Sequence, residues 1–112
     1  MKFYKELYMS DKLILKRTQL KKQLQKGEVL VNKYVIALAK NEQNHLEFFD
    51  SILLTQNMIS KDDLFIVGIA DGAGEALKIV EKITQEVYDI TNSTDIRNYF
   101  IKKQREYDKM EG

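Results

Sequence analysis

Residues 64–77 read LFIVGIADGAGEAL. Seven positions without a polar side chain lead into an acidic glycine turn, and beyond it a charged segment with helical spacing continues to residue 91. A short apolar run bounded by turn residues is the pattern of a strand covered on both faces, and Asp71 to Gly74 makes a tight turn into a helix over 73–91. Upstream, residues 30–39 read LVNKYVIALA and repeat the pattern, with the strand itself at 33–39. Asn41 then offers an N-cap, and Leu46, Phe48, Phe49, Ile52 and Leu53 recur at helical spacing, which predicts a helix over 42–55. An offset of 31 residues lays Tyr34 on Phe65, Ile36 on Val67, Leu46 on Leu77 and Ile52 on Ile83. Both segments therefore read as strand followed by helix, a likeness that shared burial explains without shared ancestry.

A strand, a crossover helix and an adjoining second strand make a right-handed parallel βαβ unit. The expected class is α/β, a small three-layer-like domain with a two-stranded parallel βαβ core formed by strands 33–39 and 64–70. Its cover comes from helices over 3–26, 42–55, 73–91 and 95–110. The first of these breaks at Ser10 or runs on to a stop at Gly27, and the last is opened by Ser93, Thr94 or Asp95. Two strands leave hydrogen-bonding edges open, so a second copy of the chain is expected to complete the sheet as a homodimer.

The chain has 112 residues, enough for one modest core. It reads as a single domain, 1–112, divided into a helical arm over 1–28, a βαβα body over 29–92 and a C-terminal helix over 93–112. Its formal charge is only +1, yet residues 1–28 carry +5 and residues 29–94 carry −5. A basic arm precedes an acidic body. Cysteine is absent, which excludes disulfides, thiolate catalysis and cysteine-ligated metal clusters. His45 is the only histidine, so a catalytic triad would have to use it and no multi-histidine metal site forms within one chain. The longest purely apolar run, Tyr34 to Ala39, falls far short of the ~20 residues of a membrane helix. The N-terminus lacks an apolar signal core, and a cytoplasmic location is the expectation. No catalytic residue, metal ligand or cofactor is assigned.

Through Phe3, Tyr4, Leu7 and Tyr8 (FYxxLY), YVIALA at 34–39 and LFIVGIADGAGEAL at 64–77, the chain resembles small bacterial proteins of no assigned activity. The resemblance spans roughly residues 3–90. It implies a fold-sized family and carries no chemistry, so function has to be read from site residues.

The two strand-to-helix turns are the first candidate site. In open α/β sheets, ligands gather outside the carboxyl ends of strands, where glycine permits close approach. Lys40, Asn41, Asp71, Gly72 and Gly74 would form such a site for an anion or a nucleotide-like ligand. The dinucleotide fingerprint fails, however, because Leu77 stands at its third glycine and Asp71 and Glu75 would repel phosphate. The plainer reading is a turn in which Asp71 accepts helix N–H bonds. A second candidate is the basic segment Lys12 to Lys26, where Lys16, Arg17, Lys21 and Lys22 could follow a nucleic-acid backbone or an anionic membrane surface. With a pI near 7.8, nucleic-acid binding is the weaker use, and a solvated face is the plainer reading. His45 as a proton shuttle beside Asp71 or Glu42, and Asp62 with Asp63 as cation ligands, lack a nucleophile and a calcium-loop spacing respectively. The leading expectation is a non-enzymatic interaction or regulatory protein that self-associates. Small-ligand binding at the turns is the alternative.

Overall fold

The computed structural model describes residues 1–39, 45–56 and 63–111. Strand β1 (Lys2–Met9) opens the chain, followed by a 3-10 helix (Asp11–Lys16) and α1 (Arg17–Lys26). Then come β2 (Lys33–Leu38), β3 (Leu46–Asp50), the one-turn α2 (Ile52–Thr55), β4 (Phe65–Asp71), α3 (Ala73–Thr91) and α4 (Ile96–Glu111). One four-stranded mixed sheet has the order β1-β4-β2-β3.

The two apolar runs are neighbouring strands, but they run antiparallel, with Lys33 opposite Asp71 and Val35 opposite Ile69. This overturns the parallel βαβ core. A strand buried on both faces has the same composition whichever way its neighbour runs, so the apolar pattern carries no direction. The parallel partner of β4 is instead β1, on its other side. Thus the predicted helix over 3–8 is a strand, and the basic segment 1–28 is no separate arm, because its first residues form a sheet edge.

Residues 46–50 of the predicted 42–55 helix also form a strand, paired antiparallel with β2 through Val35 opposite Phe49 and Leu38 opposite Leu46. Among its described residues only Ile52–Thr55 is helical. Short apolar runs fit either period, and pairing with an already buried β2 decides in favour of the strand. The offset likeness therefore ends with the strands, since β2 leads into a hairpin and β4 into a helix.

Side chains of the central strands alternate between two cores. On one face Ile36, Leu38, Val67 and Ala70 meet Ala76, Ile79, Ile83 and Val87 of α3 and Ile96 and Phe100 of α4. On the other, Val35, Ala37, Ile66 and Ile69 meet Leu13, Leu20, Leu24 and Leu54. Helical layers of this one chain cover both faces. A bulge at Val67 sets the alternation in β4, since Ile36 lies opposite Gly68 while the next residue, Ala37, lies opposite Ile66.

The predicted stops and starts of helices follow local chemistry. Gly27 closes α1 in the left-handed conformation at φ 73°, and Asn92 closes α3 at φ 55°. Asp95 opens α4, its Oδ1 accepting the Asn98 N–H at 3.1 Å.

Candidate functional site

Strands β1 and β4 are parallel neighbours, and their chains leave the sheet on opposite faces. After Met9 the backbone turns into the 3-10 helix and α1, which pack on the core containing Leu20 and Leu24, whereas after Asp71 it enters α3 on the core containing Ile83 and Val87. Divergence of this kind at adjacent carboxyl ends is a topological switch point, where open α/β sheets leave a crevice. A crevice of about 370 Å³ lies there. One wall is formed by Leu7 to Asp11, Ile14 and Arg17, and the other by Glu75, Lys78, Ile79 and Lys82 of α3.

Backbone and side chains fasten its floor. Ser10 donates its N–H to the Ile69 carbonyl at 3.3 Å, and its buried Oγ accepts the Asp71 N–H at 3.0 Å. Ser10 therefore ties the end of β1 to the end of β4 and does not cap the following helix through its side chain. Tyr8 donates its phenol hydrogen to Glu86 at 2.7 Å. Burial, followed by that hydrogen bond and the Glu86 charge, holds the Tyr8 phenol above its ordinary range.

Charge on the walls is mixed, with Arg17, Lys78 and Lys82 against Asp11 and Glu75. Among the described residues none of these five side chains joins an ion pair. Arg17 reaches the Leu7 carbonyl with Nη2 at 3.4 Å, while its Nε is buried without an acceptor. A guanidinium held this way retains donor capacity that an anionic oxygen would satisfy. Among the described residues no three carboxylate or imidazole groups gather as a metal site would require.

The site expected at the turns is only partly within the described residues. Lys40 and Asn41 lie outside the described residues. Antiparallel pairing puts the carboxyl end of β2 beside the amino end of β4, so Leu38 and Asp71, the last residues of the two strands, are at opposite ends of the sheet. His45, whose carbonyl accepts the Ala39 N–H, is likewise remote from Asp71. Asp71 is occupied, its Oδ1 accepting the Lys33 ammonium at 3.1 Å, and it makes no side-chain cap to α3. Gly72 is buried at φ 98°, and a Cβ there would stand 3.2 Å from the Asn32 amide nitrogen, so conformation and packing account for this glycine. Gly74 faces open space.

The four basic residues of the first segment also separate. Lys16 and Lys22 are exposed, Arg17 enters the crevice wall, and Lys21 lies over the Phe3 ring at 5.3 Å. Sequence reading missed Ser10, Lys78 and Lys82 as site residues. Lys78 and Lys82 are four apart on α3, a spacing that marks a shared face, but only the parallel pairing of β1 with β4 brings that face opposite Arg17. The chain matches no protein-family model, no curated protein and no solved structure.

Proposed function

We propose that this chain is a small-ligand binding module whose site is the crevice at the carboxyl ends of β1 and β4, and whose ligand carries an anionic group. The observation that supports the reading is Arg17, in no ion pair among the described residues, on a wall that faces the likewise unpaired Lys78 and Lys82 across one crevice. The volume of about 370 Å³ lies near the small end of ligand pockets, so a compact anion suits it better than a dinucleotide.

Thermal shift and calorimetry with inorganic phosphate, citrate and a nucleoside monophosphate test the reading. At least one should raise the melting temperature, and at one hundred times Kd the linked stabilisation is about 2.7 kcal/mol. Arg17→Gln and the pair Lys78→Gln with Lys82→Gln should each weaken binding by roughly tenfold or more. Absence of a shift with every anion, or binding indifferent to Arg17, would sink it.

Self-association draws support from a narrower feature. β3 has no strand on its outer side among the described residues, and Phe48 on it is 38% exposed. The open edges of the two apolar strands, from which completion by a second copy was expected, are paired with β1 and β3 of the same chain.

A further inference from the structure

We propose that the 3-10 helix Asp11–Lys16 docks this protein on an anionic bilayer surface, with Leu15 and Ile14 entering the headgroup layer and Lys12 and Lys16 meeting the lipid phosphates. The inference goes beyond ligand binding in the crevice and does not depend on it.

Leu13, Ile14 and Leu15 are consecutive in this helix, and a three-residue turn sends them in three directions. Leu13 is buried beneath the sheet, whereas Ile14 is 47% and Leu15 99% exposed. No other large apolar side chain among the described residues is as bare as Leu15. Since Leu15 touches almost nothing, folding gives no reason for leucine at that position. Its neighbours supply the second observation. Lys12 and Lys16 flank the apolar pair and are themselves exposed. From residue 12 to residue 26 the chain has six basic groups and no acidic one, with Asp11 and Glu28 just outside that stretch. An exposed aliphatic tip among lysines matches the bilayer interface, where apolar side chains lie at the boundary of headgroups and acyl chains and ammonium groups meet anionic lipids.

A nucleic-acid duplex would accept the lysines but offers the aliphatic pair only a hydrated backbone, so charge complementarity and exposure together favour lipid. None of the described helices is long and apolar enough to cross a membrane, so the contact is peripheral.

The experiment is vesicle co-sedimentation of the whole chain with phosphatidylcholine alone and with about one-third phosphatidylserine, beside a double-stranded DNA binding assay. Variants at Lys12, Leu15 and Lys16 avoid Arg17 and Ile14, which line the crevice, and the exposure of all three keeps the variants folded, as circular dichroism would verify. The chain should bind the phosphatidylserine vesicles, release them as salt rises, and ignore phosphatidylcholine. Leu15→Ser should weaken binding by about tenfold, the loss expected on withdrawing one aliphatic side chain from the interface, and Lys12→Glu with Lys16→Glu should abolish it. Three results would overturn the proposal: no binding at low salt, vesicle binding unaffected by Leu15→Ser, or tighter binding to the duplex than to the vesicles.

Discussion

A Cβ at Gly68 would stand 3.0 Å from the Tyr8 carbonyl oxygen and 3.1 Å from the Ile36 side chain, so glycine here lets β1 approach β4 where the bulge already crowds β2. The tyrosines of β1 show a different kind of residue-scale control. Tyr4 is buried edge-on to Phe100, with centroids 4.8 Å apart, and Tyr8 donates to Glu86. Burial raises both phenols above the ordinary value of 10.0, Tyr4 further through the neighbouring Tyr107 and Tyr8 through Glu86. An acid whose folded pKa is raised contributes stability that is fully present below its unfolded value and lost as pH rises through the folded one. Stability should therefore hold through neutral pH and fall in alkali above about 10. Phenolate absorbance followed alongside circular dichroism checks this: Tyr4 and Tyr8 should ionise only as the helices unfold, and Tyr8→Phe should lessen the alkaline loss. Ionisation of all six tyrosines before unfolding would contradict it.

At the scale of elements, β1 explains both how the sheet closes and why its sequence imitates a helix. Pairing with β4 jumps from Phe3 opposite Ile66 to Tyr8 opposite Gly68, so extra residues of β1 bulge out. Phe3 and Leu7 face one core and Tyr4 and Tyr8 the other, the ordinary alternation of a strand, while Lys5 and Glu6 in the bulge between them are exposed. Apolar residues at 3, 4, 7 and 8 thus belong to a strand buried on both faces at either side of exposed Lys5 and Glu6, and period alone reads them as helical. Helix α4 fills the interruption. Buried Gln104 accepts the Lys5 N–H at 2.9 Å and donates to Asp108 at 3.0 Å, and Asp108 meets Lys2 at 3.3 Å. Tyr107 hydrogen-bonds Glu6 beside them. Gln104→Leu keeps the volume but removes the acceptor used by the Lys5 N–H, and should cost about 1–3 kcal/mol. Urea unfolding measures that loss, and a change below a few tenths would mean that α4 does not hold the bulge.

For the whole molecule, the deciding fact is that both faces of the sheet are covered from within the chain. Val35, Ile36, Ile66, Val67 and Ile69 are fully buried, and the strands that contain them are paired on both sides. Among the described residues nothing apolar in the centre of the sheet awaits a second copy, and only the outer edges of β1 and β3 remain for strand addition. Sedimentation at micromolar concentration should accordingly report a monomer. A stable dimer that dissociates on Phe48→Lys would instead assign the β3 edge to self-association.

Burial and termination were readable from residues 30–39 and 64–77, from Gly27, and from Ser93 to Asp95, because uniform apolarity and capping chemistry are local properties. The α/β class and the helices over 73–91 and 95–110 followed from the same local terms. Strand direction, the identity of residues 2–9 and 46–50 as strands, and the crevice of Arg17, Lys78 and Lys82 belonged to the tertiary structure alone. The reason is physical. A doubly buried strand gains the same transfer free energy beside a parallel or an antiparallel neighbour, and a short apolar run suits either period, so only the competition among partners for the edges of β2 and β4 decides which groups converge.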